Sequence, residues 1–224
     1  MKWILFCLSF LLMLAGCRDK PTAEAQDAFL ANTRPDSVVL ENGLGTVYLR
    51  VPRTYDTLFA WTSYSDCDGC DDIRYRFQSR KLPVYRESGF VHRFPIDSVN
   101  QLTIIHNTFF KTGIQSTKPH TTRLHDSLLN RWHQEVTKEK AAKKTDLLFG
   151  SFDTLEHING RDFGIKAFWR FDSLRLLHIN DFEASTDKLR FVYTLRTRQN
   201  DSTARHFQRD ALRLLRTIRI RPGR

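Results

Sequence analysis

Apolar and polar residues alternate one by one along several stretches of this chain, and a period of two is what a β-strand with one buried face requires. Val47, Leu49 and Val51 alternate with Tyr48 and Arg50, and Pro52 stops the run. Ile73, Tyr75 and Phe77 alternate with Arg74, Arg76 and Gln78, which predicts a half-buried strand with a basic outer face. LFAWTSY (Leu58–Tyr64) precedes it, aromatic though poor in β-branched residues. Between these two runs lies SDCDGCDD, whose Asp68–Gly69 pair marks a tight hairpin turn because glycine accepts a positive φ. FVHRF and QLTIIHNTFF, within residues 90–110, give further extended signals. SFDTLEHI and RDFGIKAFWRF are separated by Asn159–Gly160, a second hairpin signal. SLRLLHINDF and KLRFVYTLRTR follow as two more expected strands.

The period changes to a helical one twice. Leu124, Leu128, Trp132 and Val136 recur every four residues, with Thr121 or Thr122 placed to cap the start and Lys138, Lys140, Lys143 and Lys144 gathered at the distal end. Phe207, Ala211, Leu214, Leu215 and Ile218 recur in the same way near the C-terminus. Strands followed by helices predict an α+β fold, a mainly antiparallel sheet with about two packed helices. A chain of 224 residues with 17 Phe suits a single core. There is no internal repeat and no low-complexity run.

The N-terminus carries a different signal. MKWILFCLSFLLMLAGCRDK has one charge at Lys2, an apolar run from Trp3 to Leu14, small residues, and then Cys17. That order describes a secretory signal, and the apolar run is short for a membrane-spanning helix. Leu14-Ala15-Gly16-Cys17 resembles the bacterial lipobox. The resemblance implies cleavage before Cys17, a diacylglycerol on its thiol and acylation of the new amino terminus. Several acyl chains on one residue hold a protein on a bilayer. The expected organisation is a lipoprotein signal peptide over 1–16, a polar lipidated tether over 17–37, and one α+β domain over 38–224. The implied location is the bacterial cell envelope, at the outer membrane facing the periplasm, because Arg18 is unlike the aspartate that holds some lipoproteins at the inner membrane.

KLRFVYTLRT followed by STARHFQRDALRLLRTIRI, a strand and then an amphipathic helix ending in TIRI, resembles the close of PsbP-like domains. The resemblance covers about the last forty residues of the chain and rests on apolar spacing. It implies an α/β/α sandwich with the final helix on an antiparallel sheet, and a binding or assembly factor rather than an enzyme.

Candidates for chemistry are few. Cys7 leaves with the signal and Cys17 is the anchor, so Cys67 and Cys70 are the remaining thiols. An even pair in an exported protein is by default a disulfide, here a clasp on a turn. A redox thiolate is disfavoured by Asp66, Asp68, Asp71 and Asp72 around the sulfurs. A zinc site needs a second ligand pair, for which His92 and His106 are the remote candidates. The calcium-loop order with its closing Glu is absent. The eight histidines form no recognised pair. His125 and His133 stand eight apart on the expected helix without HExxH spacing, and His133-Gln-Glu135 reads as solvated surface. No G-x-S-x-G, P-loop or G-x-G-x-x-G occurs, so no catalytic residue, metal site or cofactor is assigned.

The net charge is +10 at pH 7. Arg205, Arg209, Arg213 and Arg216 fall on one stripe of the last helix, and Arg219 and Arg221 continue it. The bland reading is a solvated face paired with Asp210 and glutamates. The functional reading is attraction to an anionic lipid head group or an acidic protein. Nucleic acid is excluded as a partner because export removes the chain from it. The expected function is thus a membrane-anchored binding or assembly module with a basic face. The alternatives are an envelope enzyme whose catalytic residues are unmarked in sequence, and a metal carrier using Cys67, Cys70 and a histidine.

Overall fold

The alternating runs become strands that pair antiparallel throughout. The computed structural model describes residues 28–64, 66, 71–82, 98–107, 149–173, 175–186, 188–198 and 202–223. In chain order the strands are β1 (Thr33–Leu40), β2 (Gly45–Pro52), β3 (Thr57–Ser63), β4 (Asp72–Gln78), β5 (Val99–Asn107), β6 (Phe149–Ile158), β7 (Arg161–Asp172), β8 (Leu177–Ser185) and β9 (Arg190–Thr197). The helix α1 (Ser202–Leu215) and a short β10 (Arg219–Arg221) close the chain. A helical turn at residues 28–31 precedes β1. The fold is sheet-dominated, with β1-β2-β10 forming a small sheet and β3-β4-β5-β9-β8-β7-β6 a seven-stranded one.

The core lies between one face of the large sheet and a layer made by the small sheet and α1. From the large sheet it receives Ile73, Tyr75, Phe77, Leu102, Ile104, Phe163, Ile165, Phe182, Phe191 and Tyr193, all buried. From the covering layer it receives Val38, Leu40, Val47, Leu49 and Val51, together with Phe207, Ala211, Leu214 and Leu215. α1 packs on β8, β9 and β2, so it bridges the two sheets.

Both hairpin signals sit where strands reverse. Ser63 pairs with Asp72, the last residue of SDCDGCDD, where β3 gives way to β4. Ile158 pairs with Arg161 around Asn159 and Gly160, whose φ values of 49° and 80° are those of a two-residue turn matched to strand twist. The helix expected over 121–144, the FVHRF run and the cysteine turn lie outside the described residues.

Three readings are corrected. The folded region begins well before residue 38, since Phe29 packs against the core and Thr33, 1 % exposed, is in register with Pro52. This part of the chain looks like tether because two half-buried positions of β1 are charged. They are satisfied locally, as Arg34 pairs with Asp36 and donates to the Tyr55 carbonyl at 2.9 Å. The second face of β4 is not a solvated basic face, since Arg76 and Gln78 are 1 % and 2 % exposed. The Arg76 guanidinium lies 4.7 Å over the Trp61 ring and its Nε donates to Thr103 Oγ1 at 3.3 Å. Finally, α1 stops at Leu215 and Ile218 belongs to the run into β10. Thr217 and Ile218 N–H groups bond three residues back, to Leu214 and Leu215, which tightens the last turn.

Candidate functional site

Where β2 ends, the chain turns through Arg53 and Thr54 and drops Tyr55 into the core, 3 % exposed. Beside it stand Asn100, from the start of β5, and Tyr193, from the middle of β9, both on the sheet face that meets α1. The first half of α1 supplies the opposite wall through Phe207, Ala211 and Leu214, and Phe29 of the N-terminal turn closes one side. Together they enclose a cleft of about 370 Å³. That size lies within the range of small-molecule sites, which are mostly apolar with a few convergent polar groups.

The floor and the rim differ in kind. At the floor Tyr55 Oη donates to Asn100 Oδ1 at 2.6 Å. The Tyr193 hydroxyl is buried and has no hydrogen-bond partner among the described residues. Burial raises the pKa of both phenols far above the ordinary value, and in Tyr193 the neighbouring Tyr55 adds to the effect, so both stay protonated. The rim carries the charges: Arg53 and His206 are exposed and Asp210 is half-buried. Burial raises the Asp210 pKa while Arg209, Arg213 and His206 oppose the shift. Its carboxylate accepts from Arg213 Nη1 at 3.3 Å.

The expected basic stripe divides. Arg205 is exposed and Arg209 half-exposed. Arg213 is 7 % exposed, held between Asp210 and the Phe29 ring, whose centroid lies 5.5 Å from its guanidinium carbon. Arg216 forks onto Glu156 of β6 at 3.1 and 2.9 Å. Arg219 and Arg221 are exposed on β10. Of the proposed metal ligands, His106 is 2 % exposed. Its Nε2 lies 3.3 Å from Tyr75 Oη and its Nδ1 3.2 Å from the Asn107 carbonyl, so both ring nitrogens are engaged. Among the described residues no group of three or more His, Cys, Asp and Glu gathers to hold a metal ion. Cys17, Cys67 and Cys70 lie outside the described residues.

The second face of the large sheet is polar and largely buried. In register across it run Gln78, Gln101, Thr194 and Asp181. Burial raises the Asp181 pKa, offset in part by a hydrogen bond from Thr194 and by Arg196 and Arg170. Arg74 and Arg190 share Asp72 at 3.4 and 3.3 Å, and Lys166 stands 3.9 Å from Glu183. On this face Arg74, Arg76, Arg170, Arg190, Arg196 and Lys166 outnumber Asp72, Asp181 and Glu183. Tyr55, Asn100 and Tyr193 were not singled out by sequence, because each comes from a different element and no spacing connects them. No family model matches the chain, and no curated protein matches it.

Proposed function

We propose that the chain is a bacterial envelope lipoprotein, held to a membrane by an acylated Cys17, whose domain binds a small molecule in the cleft beside α1. The observation that carries the binding reading is the cleft itself, about 370 Å³ in volume, walled by Phe29, Phe207, Ala211 and Leu214 and rimmed by Arg53, His206 and Asp210. The exposed Arg205, Arg209, Arg219 and Arg221 form the basic surface for an anionic head group or an acidic protein. The α/β/α sandwich is part of the same reading, supported by α1 lying on one face of the large sheet.

Binding is favoured over catalysis by the state of the rim groups. An acid–base pair would have to come from His206 and Asp210, four apart on α1. The Asp210 carboxylate is instead engaged by Arg213 and Arg209, at 3.3 and 3.7 Å. The metal-carrier alternative needs a free histidine near the cysteine turn, and His106, at that end of the sheet, has both nitrogens engaged.

The neutral fluorophore N-phenyl-1-naphthylamine tests the cleft. It should bind the folded chain saturably at one site, and Ala211→Trp, which fills the cleft, should abolish that signal. Undiminished binding in a folded Ala211→Trp protein, or none in the parent, would overturn the reading.

A further inference from the structure

We infer that the outward face of the small sheet, β1-β2-β10, lies on an anionic bilayer, with Arg219 and Arg221 meeting lipid phosphates and Val39 and Tyr48 entering the headgroup layer. The inference rests on the chain being an envelope lipoprotein and adds which surface of the domain meets the membrane.

Three observations lead to that face. In register across the three strands, Arg221, Thr46 and Val39 form one row, and Arg219, Tyr48 and Ser37 form the next. Residues paired across a sheet point to one side, and the alternate positions Val38, Val47 and Leu49 are in the core, so both rows face outward. Arg219 and Arg221 are exposed, Val39 is 74 % exposed and Tyr48 43 %. Cations beside an aliphatic side chain and a phenol suit the boundary between lipid phosphates and acyl chains. Second, no outward position of the three strands is Asp or Glu. Arg50, half-buried in the row beyond Tyr48, donates to Thr33 Oγ1 and to the Leu30 and Thr33 carbonyls. These acceptors are all neutral, so its charge is not cancelled. On α1, by contrast, Arg209 and Arg213 share Asp210, and Arg216 forks onto Glu156. Third, size selects the partner. Three strands about 4.8 Å apart, paired over at most eight residues, present roughly 400 Å², about half of what a specific protein interface takes from each partner. A bilayer needs less, because an acylated Cys17 makes the contact intramolecular.

The mature chain, residues 17–224 with Cys17→Ser and so without acyl groups, tests the face apart from the anchor. It should sediment with vesicles of equal parts phosphatidylcholine and phosphatidylglycerol, and far less with phosphatidylcholine alone. Each arginine against an anionic surface is worth about fivefold in affinity, so Arg219→Gln combined with Arg221→Gln should weaken binding about 25-fold. Arg219→Lys combined with Arg221→Lys keeps the charge and should keep the binding. Tyr48→Ser should weaken it about fivefold through lost apolar contact. The matched change on α1, Arg205→Gln combined with Arg209→Gln, should weaken it no more than about twofold, since screening confines the effect to charges near the lipid. The substituted side chains lie at the surface, and unaltered melting temperatures confirm that the variants are folded. Binding that survives the double change on β10, or that falls equally with the change on α1, would overturn this face and leave the lipoprotein reading standing. Equal binding to both vesicles, or to neither, would overturn it as well. The lipoprotein reading fails separately, if the parent chain with Cys17 intact takes up no labelled palmitate in cells.

Discussion

At the scale of single residues, the same side chain plays opposite parts according to what packs over it. Arg209 and Arg213 stand four apart on α1 with side chains 49 % and 7 % exposed. The difference comes from Phe29, which lies over Arg213 and makes it part of the domain. Arg209→Ala should therefore change unfolding free energy by no more than about 0.5 kcal/mol, whereas Arg213→Ala should cost about 2 kcal/mol, by removing the nearer and more buried of the two cations on Asp210 and uncovering Phe29. Urea denaturation of the two variants measures this, and equal costs would return Arg213 to the solvated surface. His106 gives a pH dependence of definite sign. Burial lowers its pKa below the ordinary 6.5, so between that value and the lower folded one the unfolded chain binds the extra proton. Stability is then full above about pH 6.5 and falls as the pH drops through this window. The urea midpoint should drop between about pH 7.5 and about pH 5, and His106→Gln should flatten the slope. Asp181 and Asp210, whose pKa values are raised, pull the other way at lower pH, so a slope unaltered by His106→Gln would assign the drop elsewhere. Neither role was legible in sequence, since a helical spacing says which residues share a face and nothing about the segment that covers it.

At the scale of elements, local signals were legible and long-range stops were not. Asn159–Gly160 forms a tight turn because two positive φ values are needed there and these two residues tolerate them. The same Asn159 reaches across and donates through Nδ2 to the Ile218 carbonyl at 2.6 Å and to the Arg216 carbonyl at 3.3 Å. Carbonyls past the end of α1 are thus met by a side chain 57 and 59 residues away, which no reading of the helix sequence alone reveals. The glycines show how much context decides. Gly160, at φ +80°, has open space where a Cβ would stand. Gly45, at φ +110°, would place one 2.0 Å from the Arg221 carbonyl oxygen and 2.6 Å from the Gly223 nitrogen. Gly160→Ala should cost about 1–2 kcal/mol from conformation alone. Gly45→Ala should cost about 3 kcal/mol or more, because it also pushes β10 off β2. Thermal melts of the pair give the comparison, and equal shifts would mean that the Arg221–Gly223 segment yields without resistance.

At the scale of the whole molecule, the described part of the chain begins close to the cleft, because Phe29 lines it and lies twelve positions beyond Cys17. An acylated Cys17 would therefore hold the cleft within about 40 Å of a bilayer, the most that twelve residues span. Cys17→Ser should move the protein from the membrane pellet to the soluble fraction, and retention in the pellet would remove the anchor from the account. What the sequence by itself determined is the local alphabet of the fold: strands at β2 to β9, the Asn159–Gly160 turn, the last helix, and their antiparallel relation. Those follow from side-chain period and turn chemistry, which act between near neighbours. Only the tertiary structure decided that β5 pairs with β9, that residues 28–37 join the domain, and that Arg76 and Arg213 leave solvent. It alone brought Tyr55, Asn100 and Tyr193 to one floor. The physical reason is common to all of these, since alternation identifies the two faces of a strand, while the energy of a polar group on either face depends on partners that distant parts of the chain supply.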